Sequence, residues 1–256
     1  YGYVNVAAAL RAVYDFDYDA DVWLNWDTVH LTQDIDRLTL TVQTGGQDDK
    51  FIWYKSTDTS VTVGEDEYTI LKGGGTGNNS VTAKIPLGTK EKEAVCSYSW
   101  DSSDAPEDLP DDVNGLYIQD GNLMSYFYLN KYDYFINAHE GKIPKINSVD
   151  ANAGVFYKIK NAGALNGESV VVISVPDDNR EFSFIPKQFS DGLYPYFVED
   201  ENSVIFAVTA YKTGGNDYGA QMVRAVYEGN QLVDVLWLPI EVKNGYTIKE
   251  ACTSVL

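Results

Sequence analysis

The sequence predicts an all-β protein made of antiparallel β-sandwich modules, with helical structure limited to short turns. Apolar and polar residues alternate with a period of two through most of the 256-residue chain. Turn-forming pairs such as Asn-Gly separate the alternating runs, and no helical pattern exceeds about three turns. Short runs rich in β-branched and aromatic residues are typical of a sandwich rather than of a parallel α/β sheet.

The clearest predicted strands share this alternation and end at glycine, asparagine or charged residues. They occupy residues 51–54, 59–63, 68–71, 81–85, 170–175, 204–209 and 222–227. Two segments are better candidates for short helices: residues 7–13, which fit a strand equally well, and residues 248–255.

Four turn segments lie between alternating runs, at residues 44–47, 120–122, 228–230 and 244–245. Their glycine and asparagine residues tolerate the positive φ that tight hairpins require. Each segment therefore predicts a hairpin.

An acidic segment, DSSDAPEDLPDD at residues 101–112, divides the chain. It holds six carboxylates and two prolines with almost no apolar residue, so it cannot lie in a core. We expect a linker there, between an N-terminal module at residues 1–100 and a C-terminal module at residues 113–256.

One phrase occurs near both ends of the chain. Arg-Ala-Val-Tyr is followed after six residues by Asp-Val, starting once at Arg11 and again at Arg224. In the second copy, residues 221–238 read as a hairpin around the turn at 228–230. Two related modules that both use this hairpin would explain the repeat, and coincidence in a chain rich in Tyr and Val is the alternative.

The second copy resembles the closing hairpin of the small immunoglobulin-like β-sandwich modules of secreted and wall-attached proteins of Gram-positive bacteria. The matching positions are Ala225, Tyr227, Gly229, Asn230, Leu232, Val233, Asp234 and Val235. Residues 60–70 and 114–123 also resemble strands of such proteins, so the similarity covers about a quarter of the chain. It implies two immunoglobulin-like modules with an extracellular, architectural or adhesive role, and it brings no catalytic residues.

Charge limits the classes of partner. The chain has 19 Lys and Arg against 38 Asp and Glu, a net charge of −19. This charge repels phosphate backbones and anionic lipids, so we expect no binding to nucleic acid. No apolar run approaches the roughly 18–20 residues that span a bilayer, so we expect no membrane insertion. The chain starts with Tyr-Gly-Tyr, which fits a removed signal peptide and an extracellular location, and which fits a chain trimmed for expression equally well.

The two cysteines, Cys96 and Cys252, could pair in an oxidising compartment or remain unrelated buried thiols. We expect no metal site on the two cysteines and two histidines, because neither residue type shows the Cys-x-x-Cys or His-x-x-x-His spacing of such sites.

Four aspartates alternate along one N-terminal segment. An EF-hand loop beginning at the first would need Gly and Glu where Ala20 and Trp26 stand, so an EF-hand is excluded. In an extended chain all four carboxylates share one face, which predicts either a solvated strand face or a calcium site of another kind. The candidate ligands are Asp15, Asp17, Asp19 and Asp21.

Clustered aromatic residues suggest a carbohydrate platform, because flat rings stack on sugars while nearby carboxylates accept hydroxyl hydrogen bonds. A sandwich core or a subunit interface is the favoured interpretation of the same residues. The candidates are Trp100, Tyr126, Tyr128, Tyr194 and Tyr196.

No hydrolase, metalloprotease or phosphate-loop motif is present in the sequence, so we expect no enzyme. The leading hypothesis is a non-catalytic structural subunit of an extracellular layer or filament. Its copies would join at sheet edges, with the apolar run at residues 4–13, from Val4 to Val13, donated as a strand. The alternative is a polysaccharide-binding or adhesion module.

Overall fold

The protein is all-β, as predicted. The computed structural model describes residues 22–32, 37–44, 52–55, 58–63, 67–73, 76–85, 92–100, 113–151, 155–175, 178–199 and 203–254. Its strands are β1 (Val22–Leu24), β2 (Thr28–Leu31), β3 (Arg37–Thr44), β4 (Ile52–Lys55), β5 (Asp58–Val63), β6 (Glu67–Leu71), β7 (Gly77–Ile85), β8 (Lys92–Trp100), β9 (Val113–Gln119), β10 (Gly121–Leu123), β11 (Asp133–Ala138), β12 (Lys145–Ala151), β13 (Phe156–Lys160), β14 (Ser169–Val175), β15 (Asp178–Lys187), β16 (Gly192–Glu199), β17 (Ser203–Lys212), β18 (Tyr218–Glu228), β19 (Gln231–Val242) and β20 (Gly245–Ser254). Among these residues, no helix is long and apolar enough to cross a membrane.

The chain divides into two compact units. Unit 1 comprises Tyr1–Val113, Ala151–Asn161 and Val171–Arg180, and unit 2 comprises Asn114–Asp150, Ala162–Val170 and Glu181–Leu256. Two segments that follow the predicted linker in sequence therefore belong to unit 1. Residues 101–112 themselves lie outside the described residues, so the linker stays a prediction.

Unit 1 is a two-layer arrangement of sheets. One layer has the strand order β14-β13-β2-β8-β7-β4-β5, and the other has the order β1-β3-β6. Alternating residues of both layers meet in one buried core, which includes Leu24, Leu40 and Ile70 from the smaller sheet and Val29 and Val81 from the larger. Side chains of a strand point alternately to its two faces, so this pattern is that of a sandwich.

In unit 2 the strands β10, β11 and β15 are paired side by side in that order, and the smaller sheets have the orders β9-β12, β16-β17-β20 and β18-β19. The β16-β17-β20 sheet is antiparallel throughout, and β17 pairs with β20 over its whole length. The base of the β18–β19 hairpin covers one face of β17, where Val208 and Ala210 pack with Ile240 and Val242.

The pairing is mixed rather than wholly antiparallel. Strand β2 runs parallel to β8, and β11 runs parallel to β15. The expectation of purely antiparallel sheets was wrong at these two places, because parallel partners are joined by long connections that leave no local turn signal.

All seven predicted strand runs coincide with strands, namely β4 to β7, β14, β17 and β18, although residue 51 itself lies outside the described residues. The helix predicted at residues 248–255 was wrong, since β20 continues to Ser254. Pairing along all of β17 outweighs the weak local preference of that segment. The other candidate helix, at residues 7–13, lies outside the described residues.

One predicted hairpin is confirmed. Glu228 pairs with Gln231 around Gly229 and Asn230, and Gly229 has a φ of 57°. Positive φ at only the first of two loop residues fits a type II′ turn. The hairpins predicted at 120–122 and 244–245 were wrong, because β9 and β10, and likewise β19 and β20, belong to different sheets. The fourth, at 44–47, falls mostly outside the described residues.

The two copies of the repeated phrase can be compared only in part. The C-terminal copy forms the β18–β19 hairpin. In the N-terminal copy, residues 11–21 lie outside the described residues, and Val22 begins β1, which pairs with β3.

Candidate functional site

Strand β16 is an edge strand with an exposed apolar surface. Within the described residues it is hydrogen-bonded in a sheet only to β17. It contains Pro195, a residue that sheets confine to edges because it has no N–H. The end of the edge is covered, since Asn130 Nδ2 donates a hydrogen bond to the Glu199 carbonyl oxygen at 3.1 Å. Between these ends, Leu193 and Phe197 are exposed large apolar residues.

The residues of β16 alternate between two faces of the sheet. Register places Tyr196 opposite Ala207, and Ala207 opposite Glu250, so these side chains share one face. Phe197 pairs with Phe206 and belongs to the other face, the one that the β18–β19 hairpin partly covers. Each face carries a cleft that reaches β16.

The first cleft, here called the tyrosine cleft, has a volume of about 500 Å³. Its walls are mainly aromatic and include Tyr134, Phe135, Phe189, Tyr194 and Tyr196. Lys131 and Asp133 add one positive and one negative side chain to this lining. The cleft can therefore hold apolar or amphipathic groups.

The second cleft, here called the phenylalanine cleft, has a volume of about 560 Å³. It opens between Phe197 and Phe206 on the sheet and residues 222–225 of β18. Both β16 and β17 leave a large ring exposed here, because the hairpin packs closely only on Val208 and Ala210 farther along the sheet.

A hydrogen-bonded network links three of the predicted tyrosines on the face of Tyr196. Tyr128 Oη donates to Glu250 Oε1, and Tyr196 Oη donates to the same oxygen at 3.5 Å. The backbone N–H of Tyr126 donates to Tyr196 Oη at 3.4 Å. The segment is further fixed by Thr209, whose Oγ1 donates to the Met124 carbonyl oxygen.

Burial favours the neutral phenols in this network. Desolvation raises the pKa of Tyr196 to about 12, against a smaller lowering by the hydrogen bond from the Tyr126 backbone. Desolvation also raises the pKa of Tyr128, with its hydrogen bond to Glu250 adding to the effect. These phenols therefore act as hydrogen-bond donors at neutral pH.

Unit 2 brings together four of the five predicted ring residues. Tyr194 lines the same cleft as Tyr196, and its hydroxyl donates to the Ser190 carbonyl oxygen at 2.6 Å. Trp100 is the exception, because it belongs to unit 1 and stacks on Tyr98 at 5.8 Å. Its indole covers Gly77 so closely that an added Cβ there would lie 2.0 Å from Cζ2. Trp100 Nε1 is buried without a hydrogen-bond partner among the described residues.

Cys96 is a buried cysteine in the core of unit 1. Desolvation, and secondarily the charge of Asp27, raises its pKa to about 12. The backbone of Cys252 lies in β20 opposite Ile205, and its side chain is outside the described part of the structure. The disulfide between them stays a prediction.

The predicted calcium ligands at residues 15–21 lie outside the described residues. Within the described ranges, no group of three or more His, Cys, Asp or Glu side chains could hold a metal ion.

Sequence reasoning missed Phe197, Phe206 and Glu250. A signal for the first exists in the run around Pro195, where aromatic residues occupy both faces of a proline-containing strand. Such a pattern indicates an edge strand that is apolar on both sides. Phe206 and Glu250 have no comparable signal, since only the register of β16, β17 and β20 places them beside this strand.

No protein-family model and no curated protein matches the chain. Among solved structures, the crystal structure of dimeric latent PorU from Porphyromonas gingivalis aligns with 90% of this chain at 12% identity and a TM-score of 0.21. The chain spans 30% of that protein's length. A TM-score of this size does not indicate a shared fold.

Proposed function

We propose that the protein is a non-catalytic extracellular structural protein, a subunit of a surface layer or filament built from immunoglobulin-like sandwich modules. Its copies join when the N-terminal strand of one, residues 4–13, adds to the β16 edge of the next. The observation that carries the proposal is the β16 edge itself, which no described strand covers between Leu193 and Val198 and which has an apolar cleft on each face.

Strand addition uses both features of such an edge. Main-chain hydrogen bonds along the edge, except at Pro195, which has no N–H to donate, supply affinity, and pockets for alternate side chains supply specificity. An added strand presents successive side chains to opposite faces, so it would fill the tyrosine cleft and the phenylalanine cleft in turn. An edge with only one apolar face would select an amphipathic strand, whereas this edge suits a strand that is apolar on both faces.

Residues 4–13 are apolar on both faces except at Asn5 and Arg11. Val4, Val6 and Leu10 fall on one face of an extended strand, and Ala7 and Val13 fall on the other. Their small and medium side chains suit clefts that are already walled by large rings.

Charge also favours this pairing. Arg11 is the one charged residue in the segment, and it is positive. The surroundings of β16 include the carboxylates of Asp133, Glu199 and Glu250, in a chain with a net charge of −19. Opposite charges steer the donor toward the acceptor and disfavour other approaches between acidic copies.

The test compares the full chain with a chain that lacks residues 1–13. Negative-stain microscopy of the full chain, with and without calcium, is expected to show filaments or layers, and the trimmed chain is expected to show none. A synthetic peptide of residues 4–13 should bind the trimmed chain, as measured by fluorescence anisotropy.

Phe197→Glu should abolish this peptide binding, because a charge would then enter the phenylalanine cleft. Tyr117→Glu is the matched control, since Phe197 is 60% exposed and Tyr117 is 59% exposed in the same unit. Unchanged polymers after trimming would rule out strand donation. A full chain that never polymerises would rule out the structural role.

A carbohydrate-binding module is the second candidate, and the tyrosine network favours it. Tyr126 exposes half of its surface beside Tyr196, and Glu250 accepts two phenolic hydrogen bonds nearby. Tyr126→Ala and Tyr194→Ala should then weaken retention on a polysaccharide panel, while Trp100→Ala in unit 1 should not. If the intact chain is retained by no glycan, this candidate fails.

A further inference from the structure

A second apolar surface lies on the β18–β19 hairpin, on the face opposite to the one that packs on β17. Cross-strand register pairs Val223 with Trp237, Ala225 with Val235, and Tyr227 with Leu232. Alternation along both strands puts these pairs on one face, here called the outer face. The inner face carries Ile240 and Val242, which are buried against β17.

The outer face consists of large apolar residues that are nevertheless exposed to solvent. Trp237 is 61% exposed, Tyr227 is 60% exposed and Val223 is 51% exposed. Aromatic and branched apolar side chains of this kind, held on a paired hairpin, form a continuous strip rather than scattered single residues. A contiguous apolar strip of several hundred Å² on a soluble chain marks an interaction surface.

The strip also lacks charge. On β18 the outer face from Gln221 to Tyr227 has no ionisable carboxylate or cation, and on β19 the same holds from Leu232 to Pro239. The first acidic group on this face is Glu241 at the base, which pairs with Lys243 at 3.0 Å. In a chain with a net charge of −19, this is a surface on which two copies can meet without bringing like charges together.

We propose that the outer face is the contact surface for a second copy of this chain, with two hairpins packed face to face about a two-fold axis. Such an interface is self-complementary, because the same surface of both copies takes part and every contact between two residues occurs twice. The exposed rings and aliphatic side chains offer roughly 600 Å² per copy, and two copies would bury about 1,200 Å². That total is at the lower end of what stable protein interfaces bury.

Two sheets that pack face to face lie about 10 Å apart and interdigitate their side chains. Trp237 lies near the middle of the strip, opposite Val223, so in the paired interface the surrounding residues of both copies would shield its large ring from water. Tryptophan at the centre of an interface commonly carries most of the binding energy. Trp237 is therefore the residue on which pairing depends.

This contact differs in kind from strand donation to β16. A two-fold contact closes after one pair, whereas donation from each copy to the next continues without limit. The hairpin would thus join two copies, or two neighbouring strands of an assembly, whether or not the chain polymerises.

The test is sedimentation velocity of the full chain across a concentration series. We expect the parent to self-associate, and Trp237→Glu to weaken the dimer at least thirtyfold, the effect of an interface hot spot. Val223→Glu should weaken it as well, and Trp237→Phe should retain most of it. Leu71→Glu is the matched control, because Leu71 is 60% exposed on β6 of unit 1. Circular dichroism checks that each variant folds.

A parent that stays monomeric, or dimers that persist in both Trp237→Glu and Val223→Glu, would overturn the inference. Removing residues 1–13 distinguishes the two interfaces. Association that is lost on trimming but unaffected by Trp237→Glu supports strand donation and refutes the hairpin contact. Dimers that survive trimming and disappear in Trp237→Glu support the hairpin contact whatever happens to filaments.

Discussion

Substitution of Gly77 by alanine should destabilise unit 1 by forcing Trp100 out of place. An alanine Cβ at this position would lie 2.0, 2.2 and 2.6 Å from Cζ2, Cε2 and Cη2 of the indole. Ordinary contact requires 3.4–4 Å, so the ring would have to withdraw. The backbone conformation does not oppose an alanine at this position, because Gly77 does not have a positive φ.

Withdrawal of the indole would disturb the stacking of Trp100 on Tyr98 and open space beside the core of unit 1. Overpacking of this kind costs about 1–3 kcal/mol, and three close ring atoms place Gly77→Ala near the upper end. With a urea m-value of about 2 kcal/mol/M, the unfolding midpoint should fall by about 1.5 M. Gly73→Ala should cost less, because its nearest indole atom would be 2.8 Å away.

Tryptophan fluorescence in a Trp237→Phe background isolates unit 1, because the other four tryptophans precede residue 101. Trp100→Leu removes the obstructing ring, so adding Gly77→Ala to it should cost little beyond the single Trp100→Leu change. Strict additivity of the two changes, or a Gly77→Ala midpoint within about 0.3 M of the parent, would refute this packing explanation.

Three further outcomes follow from the described contacts. Tyr134→Phe should destabilise unit 2 by about 1–3 kcal/mol in urea unfolding, since its hydroxyl donates to the Tyr128 carbonyl oxygen at 2.7 Å and accepts from the Tyr128 N–H at 2.8 Å. Tyr132→Phe, at a ring stacked on Phe182 with no such bond described, is its control and should be neutral. The raised pKa of Tyr196, about 12 in the folded chain, adds stability that is complete below pH 10 and is lost between pH 10 and 12. Phenolate absorbance should therefore show Tyr196 ionising above pH 10, together with unfolding of unit 2 between pH 10 and 12. Complete ionisation of the tyrosines near pH 10 with the fold intact would contradict this prediction. In a Cys252→Ser background, the Cys96 thiol, whose pKa burial raises to about 12, should resist iodoacetamide at pH 8 until the chain is unfolded, and rapid labelling of the native protein would show the burial to be wrong.

Local sequence patterns predicted seven of the twenty described strands. Residues 222–227 alternate, end at Glu-Gly-Asn and form β18, because side-chain alternation and turn chemistry act over a few neighbouring residues. The same reasoning failed at Asn244-Gly245, where the turn leads into β20 of another sheet. A turn signal reports that the chain changes direction and does not report which strand it meets next.

The candidate site was predicted in part. Tyr126, Tyr128, Tyr194 and Tyr196 were identified from aromatic clustering, and the fold gathers them in unit 2. Their partner Glu250 was not identified, since it joins them only through the pairing of β17 with β20. Trp100 was predicted as a site residue and lies elsewhere. An indole ring suits a sugar platform, but the fold packs this ring against Gly77.

The sequence by itself determined the all-β class, the positions of seven of the twenty described strands, the acidic surface and the β18–β19 hairpin, because each depends on composition or on contacts between near neighbours. Only the tertiary structure decided which strands share a sheet, which segments make up unit 1, and that β16 has an open edge between two clefts. Those features arise when residues far apart in the chain pair, and the free energy of such pairing depends on partners that no local pattern contains.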